Sequence, residues 1–290
     1  MALGLILSSS DFNILDVTTM SPPIAGTQVP SNFVGGEFGA ASLNSVLSSP
    51  ITNAGDFSRQ FALDNTNDGA YGAYYISHTV DSSLYSGSIN TSKAYSMRAW
   101  LRMDSPGIPK CTTNGIGLSF LGQSNKMSLG ALGHDARTYH LGGYSLQFSG
   151  RNQSDVDLLP IGNPRLILGT NEVSGTINGS FTPTVCSGGS GGAGDEYSIN
   201  EWHRVRFDMI PIGGAGVTLN AYTSSAGDVA SGLEVWELVG TTFVDATDAV
   251  YIDPTLPTNG MGFYAWRDDQ NDNPLDSVLI DQFEMLVEDI

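Results

Sequence analysis

Hydrophobic and polar residues alternate along two segments of the chain with the period of two that is typical of a half-buried β-strand. Residues 95–103 and 202–209 each place apolar side chains on one face. The opposite faces carry Arg98, Trp100 and Arg102 in the first segment and Trp202, Arg204, Arg206 and Asp208 in the second. One face of each strand is therefore expected in the core, and the other is expected to lie outside it.

Further short strands are predicted where apolar runs are bounded by turn residues, at 115–122, 143–149, 165–169, 217–222, 233–238, 260–266 and 278–287. No segment has the 3.6-residue period of a long amphipathic helix. Many short strands separated by Gly-rich turns are typical of an antiparallel sandwich. The pattern therefore predicts an all-β fold over residues 57–290, with long loop insertions near 105–114 and 150–200.

Residues 1–56 alternate short apolar patches with Gly and Pro, which predicts an extended N-terminal arm with one or two short strands rather than a separate domain. Two roles for this arm remain open. It wraps around its own domain, or it adds a strand to a neighbouring subunit.

Composition narrows the choice of partners. The 290 residues include 12 Lys and Arg against 30 Asp and Glu, which gives a net charge of -18. Such a chain repels phosphate backbones, so we expect neither nucleic acid nor an anionic membrane as a partner. No run approaches the ~20 apolar residues of a membrane-spanning helix.

The N-terminus and the cysteines bear on the compartment. Residues 1–10 have a short apolar stretch with no Lys or Arg before it, so no secretory signal is expected. Cys111 and Cys186 lie in segments rich in Gly, Ser, Thr and Pro, and their spacing leaves open whether they pair.

The order of these segments resembles the concanavalin A-like or laminin G-like jelly roll. Ala99-Trp100, the Trp202 to Val205 spacing and the closing Asp281 to Phe283 spacing occur in the order found in that superfamily. The resemblance implies a two-sheet antiparallel jelly-roll sandwich (concanavalin A-like). This superfold hosts lectins, glycosidases, adhesion modules and viral structural proteins, so it does not select an activity.

Catalytic carboxylates are the first chemistry to look for in this superfamily. Its retaining glucanases carry a Glu-x-Asp-x-x-Glu strand, and cleavage needs two carboxyl groups ~5 Å apart. The chain has no such strand. Glu234 and Glu237 are predicted to be surface charges, and Ser190, in a Gly-rich loop, lacks the strand and helix that hold a nucleophilic serine. We therefore expect no enzyme.

Metal ligands are concentrated in one predicted loop after residues 260–266. This candidate Ca²⁺ site comprises Asp268, Asp269, Asn271, Asp272 and Asp276. Plain turn residues are the alternative there, and also for the weaker set from Asp64 to Asp68. His134, Asp135 and His140 are a weaker zinc candidate because their spacing is loose. No cofactor is required by this interpretation, and Ca²⁺ is the leading candidate for a bound ion.

Asp281 alternates with Leu279 and Phe283, so we expect it on the buried side of its strand. A buried carboxylate must be paired. It either fastens a loop through backbone N–H groups or an arginine, or contacts a metal or ligand.

A binding surface is predicted on the polar faces of the two best strands. Trp and Arg are enriched in binding hot spots, and an aromatic face suits sugar rings. The candidate ligand-binding or partner-binding residues are Arg98, Trp100, Arg102, Trp202, Arg204, Arg206 and Trp266. The alternative is that these aromatic residues lie under the arm or the loops, with the arginines paired to local Asp.

Three functional hypotheses are consistent with these sequence features. The leading hypothesis is a non-catalytic virion structural protein of a bacteriophage or similar virus, a capsid-surface or tail component whose partners are copies of itself, other virion proteins and a cell-surface glycan. The second is a free, extracellular carbohydrate-binding lectin or adhesion module. The third is a glycoside hydrolase or polysaccharide lyase, which the missing carboxylate pair disfavours.

Overall fold

The computed structural model describes residues 4–8, 33–38, 41–46, 58–63, 71–77, 93–104, 114–123, 144–149, 164–171, 181–187, 197–213, 215–224, 234–245, 259–267 and 277–289. The strands are β1 (Gly4–Ser8), β2 (Phe33–Phe38), β3 (Ala41–Val46), β4 (Ser58–Leu63), β5 (Tyr71–Ser77), β6 (Lys93–Asp104), β7 (Asn114–Gln123) and β8 (Tyr144–Ser149). They continue with β9 (Arg165–Asn171), β10 (Phe181–Val185), β11 (His203–Pro211), β12 (Gly216–Ser224), β13 (Glu237–Asp245), β14 (Asn259–Arg267) and β15 (Ser277–Asp289).

The strands form two antiparallel sheets. One is 8-stranded, in the order β13-β12-β11-β6-β15-β4-β3, with β1 paired to β15. The other is 7-stranded, in the order β10-β9-β8-β7-β14-β5-β2. The described residues contain no helix, so the predicted all-β, two-sheet antiparallel sandwich is confirmed.

The core lies between the two sheets. Met97 and Leu101 of β6 are fully buried in one hydrophobic cluster with Ile116 and Leu118 of β7. Aromatic pairs join the sheets directly, with the rings of Phe120 and Phe207 4.8 Å apart and those of Phe263 and Phe283 5.1 Å apart. The apolar faces predicted for residues 95–103 and 202–209 are therefore the core faces.

Strands also occur within residues 1–56, where three are described rather than the one or two expected. β1 pairs with β15, β2 with β5, and β3 with β4. These strands thus extend both sheets of their own chain. The boundary at residue 56 stays a prediction, as do the loop insertions.

Two strand predictions need correction. Residues 233–238 were expected to form one strand, but β13 begins at Glu237 and continues to Asp245. Glu234 and Trp236 instead make side-chain contacts with β11 and β6. Strand β10, within the predicted insertion at 150–200, was not predicted.

Asp281 is buried, but on the opposite side from the one expected. It pairs in register with Trp100, and a β-bulge separates it from Glu284. The extra residue of a bulge reverses the alternation. Phe283 therefore lies in the core, while Asp281 shares the outer face with Trp100.

Within the part of the chain that the structure describes, no helix has the length and apolar character needed to span a membrane.

Candidate functional site

The outer face of the eight-stranded sheet carries a group of side chains that we call the arginine–tryptophan cluster: Arg98, Trp100, Arg204, Arg206 and Trp236. Strand register brings four of them together, because Arg204 pairs with Trp100 and Arg206 with Arg98 across β11 and β6. Side chains of paired residues lie on the same face. Trp236 comes from outside the sheet, in the segment before β13.

The segment formed by residues 234–236 covers this face; we call it the strap. Glu234 Oε1 accepts a hydrogen bond of 2.9 Å from Arg204 Nε, and Glu234 Oε2 lies 3.5 Å from Arg98 Nη1. The Trp236 ring centroid lies 5.5 Å from the guanidinium carbon of Arg98 and 6.0 Å from those of Arg204 and Arg206. These distances are those of cation–π contacts.

Arg206 has a partner of its own within β11. Its Nε and Nη2 donate to the two carboxylate oxygens of Asp208 at 2.8 and 2.6 Å. The same guanidinium lies 4.9 Å from the ring centroid of Tyr222 on β12. The pKa of the Tyr222 hydroxyl is raised by burial, and the nearby Asp208 carboxylate raises it further.

The residues of the cluster fall into a buried group and a half-buried group. Trp100 is 1% exposed and Arg204 is 3% exposed. Arg98, Arg206 and Trp236 are half-buried. Glu234 and Asp208 are the acidic partners of Arg204 and Arg206. The assignment of these arginines and of Trp100 as binding residues stays a prediction.

Several buried donors on this face have no hydrogen-bond partner within the described structure. They are the indole nitrogen of Trp100 and the hydroxyls of Ser96 and Ser224, and the indole nitrogen of Trp202, directly before β11, is likewise buried without a partner. Ser96 pairs in register with Asp208, and Ser224 pairs with Arg204, so both hydroxyls belong to the same outer face. Nearly all buried polar groups in folded proteins are hydrogen-bonded. The face thus has unused capacity to bind hydrogen-bond acceptors.

The remaining predicted binding residues are distributed differently. Arg102 lies on the same outer face, paired in register with Leu279. Trp202 is half-buried and directly precedes β11. Trp266 lies in β14 of the seven-stranded sheet, whereas the cluster lies on the eight-stranded sheet.

The outer face of the seven-stranded sheet is also polar. Gln147 Nε2 donates a 2.8 Å hydrogen bond to the Tyr264 hydroxyl across the intervening strand β7. The Tyr264 ring lies over Gly117, and both side chains of this hydrogen bond are fully buried. Burial raises the pKa of the Tyr264 hydroxyl. The pair therefore acts as a buried polar link rather than as an open site.

Three residues that contact the arginines of the cluster were not predicted as site residues from the sequence. Glu234 was expected at the surface but is partly buried and paired with arginines, whereas Glu237 is exposed as expected. Trp236 and Tyr222 were not singled out as site residues. The sequence signal for the strap is the run Glu234-Val235-Trp236 directly before a strand. These residues alternate between polar and apolar as strand residues do, so the sequence predicted them as part of that strand.

The candidate ligands for Ca²⁺ and zinc, with Asp64, Asp68, Ser190 and Cys111, lie outside the described residues. Within the described ranges, no group of three or more His, Cys, Asp or Glu side chains is placed to hold a metal ion. The Ca²⁺ site therefore stays a prediction. Burial raises the pKa of the Cys186 thiol to about 12, so this cysteine is held as the neutral thiol.

No family model and no curated protein matches the chain. Among solved structures, it resembles the carbohydrate recognition domain of Emp47p, with 14% identity, TM-score 0.48, and coverage of 98% of this chain and 96% of the other. It also resembles the metal-free lectin I-B4 from Griffonia simplicifolia, with 9% identity, TM-score 0.46, and coverage of 97% and 98%. An endo-β-1,4-glucuronan lyase from Trichoderma reesei gives 8% identity, TM-score 0.46, and coverage of 86% and 87%. At these scores we draw no functional conclusion from the likenesses.

Proposed function

We propose that this protein is a non-catalytic recognition domain that binds a saccharide at the arginine–tryptophan cluster. The observation that carries the proposal is the group of buried donors without acceptors on that face. A saccharide supplies many oxygen acceptors within a small volume. A buried donor without an acceptor costs free energy, and a ligand oxygen that accepts from it would recover that cost.

Aromatic and charged groups around the donors support the same proposal. Trp236 is half-buried, and its ring is held in place by guanidinium groups on the sheet. A fixed indole ring offers a flat apolar surface for the C–H face of a sugar ring. The carboxylates of Glu234 and Asp208 are engaged by arginines, which supports binding rather than acid–base cleavage at this face.

A glycan array probed with the whole chain tests the proposal. Wild-type protein is expected to give saccharide hits that weaken about tenfold or more in Trp236→Ala, the size typical of a binding hot spot. Phe243→Ala is the matched control, because it removes an exposed aromatic ring from the same sheet, at the far end of β13. An array without hits, or hits that Trp236→Ala leaves unchanged, would overturn the proposal.

The virion hypothesis stays a prediction from the sequence. It places the protein on a capsid or tail, with copies of itself and other virion proteins as partners, and saccharide binding is compatible with such a place. Mass spectrometry of purified virus particles whose genome encodes this chain would test the hypothesis. Absence of the chain from those particles would contradict it.

A further inference from the structure

We infer that the saccharide bound at the arginine–tryptophan cluster carries a carboxylate, and that Glu234 occupies the carboxylate position in the free protein. The ligand class is therefore a uronic-acid glycan. This inference rests on the proposed function, because it specifies the ligand of the same site.

The positions of the charged groups are the first support. Arg98 and Arg204 belong to adjacent strands and lie diagonally across the same face, because Arg204 pairs with Trp100 and Arg206 pairs with Arg98. The carboxylate that they bind comes from the strap, outside the sheet. Two guanidinium groups that converge on a carboxylate from a separate segment form the arrangement by which arginines recognise a carboxylate ligand.

The contacts of Arg206 indicate which arginines of the cluster are placed to bind a ligand carboxylate. Asp208 engages two nitrogens of Arg206 from the same strand. Arg98 and Arg204 instead share the carboxylate of Glu234, which is partly exposed and contacts Arg98 at the longer distance of 3.5 Å. A competing carboxylate therefore has a partly accessible position to take.

The neighbouring donors favour a sugar acid over an acidic peptide. Trp100 pairs directly with Arg204, and its indole nitrogen is buried without an acceptor. The Ser224 hydroxyl, also without a partner, is the register neighbour of Arg204 on the other side. A uronic acid presents a carboxylate, hydroxyl groups and an apolar ring face within one residue, which matches the arginines, these donors and Trp236.

Glu234 competes with such a ligand because it is part of the same chain. A tethered group acts at an effective concentration of millimolar order, so its removal is expected to raise the affinity for a free carboxylate about tenfold or more. Glu234→Gln removes the charge and keeps an oxygen that can accept from Arg204.

The inference is tested by calorimetric titration with two matched trisaccharides, cellotriose and the β-1,4-linked glucuronic acid trimer, which differ only in the oxidation state of C6. Short oligomers limit the long-range repulsion from a chain of net charge -18. We expect wild type to bind the acidic trimer more tightly than cellotriose. Glu234→Gln should bind the acidic trimer about tenfold more tightly than wild type does, with no gain for cellotriose.

Two arginine variants complete the design. Arg98→Gln is expected to lose the preference for the acidic trimer. This variant tests the inference even if Glu234→Gln fails to fold. Arg165→Gln, on the other sheet, is the matched control and should behave as wild type does.

Failure of this inference differs from failure of the proposed function. If array hits depend on Trp236 but the acidic trimer binds no better than cellotriose, and Glu234→Gln has no effect, the carboxylate assignment is wrong and saccharide binding stands. If the array gives no hits and neither trimer binds, both are wrong.

Discussion

The phenol ring of Tyr264 on β14 lies so close over Gly117 on β7 that a Cβ added to Gly117 would be 2.6 Å from two ring atoms. The adjacent Gln147 then donates its hydrogen bond to the Tyr264 hydroxyl at 2.8 Å. Gly117 is therefore required by packing, because only a residue without a side chain leaves room for this ring.

Gly117→Ala is expected to destabilise the protein by about 1–3 kcal/mol, because overpacking forces the buried ring from its position. The free energy of unfolding, measured by urea denaturation, gives the value. Gly213→Ala is not a suitable control for this substitution. A Cβ on Gly213 would meet no neighbouring atom, but the positive φ of 53° strains any residue other than glycine. Ile212→Ala, at a position that is 46% exposed, is the better control. An unchanged stability of Gly117→Ala would contradict the packing.

Gly240 and Cys186 predict a coupled pair of substitutions. A Cβ on Gly240 would lie 2.5 Å from Cys186 Sγ, so Gly240→Ala alone is expected to cost about 1–3 kcal/mol. Cys186→Ala removes the sulfur atom. In that background the cost of Gly240→Ala should fall by about 0.5 kcal/mol or more, which a double-mutant cycle measures. Strict additivity would show that the two residues do not meet.

His203 predicts how stability depends on pH. Its ring packs between Phe148 and Tyr197 at centroid distances of 5.4 and 5.1 Å, and Nε2 lies 2.7 Å from the Ser198 carbonyl oxygen. The neutral ring therefore donates its Nε2 proton to that oxygen. Burial lowers the pKa of His203, with smaller opposing effects from the Ser198 carbonyl and the Glu201 carboxylate.

The sign of the effect follows from proton linkage. At a pH between the lowered native pKa and the unfolded value of about 6.5, the unfolded chain binds more protons than the native protein, so stability rises with pH there. The contribution of His203 is complete above the unfolded pKa and is lost as the pH falls towards the native pKa. Denaturation of wild type and His203→Gln from pH 7.5 to 5 measures it. The variant should lose part of the slope below about pH 6.5; an identical slope in both proteins would contradict the assignment.

The sequence predicted the fold well where one strand has a clear inside and outside. Met97, Ala99 and Leu101 alternate without interruption, and β11 pairs with this part of β6 in continuous register. The bulge before Glu284 could not be predicted, because one extra residue leaves the apolar pattern intact while it moves Asp281 to the other face.

The candidate site was predicted less completely than the fold. Alternation placed Arg98, Trp100 and Arg204 on one face, but it gives no information on what covers that face. The cover comes from Glu234 and Trp236, of which Glu234 is 30 positions from Arg204 and 136 from Arg98. Contacts of such sequence separation depend on how the sheets are assembled, which local pattern does not encode.

The indole N–H signals of the tryptophans test the central claim most directly, because two of the proposed donors are indole groups. In ¹H–¹⁵N spectra of the whole chain, addition of a saccharide found on the array should shift the signals of Trp100, Trp202 and Trp236 in a saturable manner. The signal of Trp266, on the other sheet, is the internal reference and should stay in place. Shifts confined to Trp266, or no shift at saturating saccharide, would contradict binding at the arginine–tryptophan cluster.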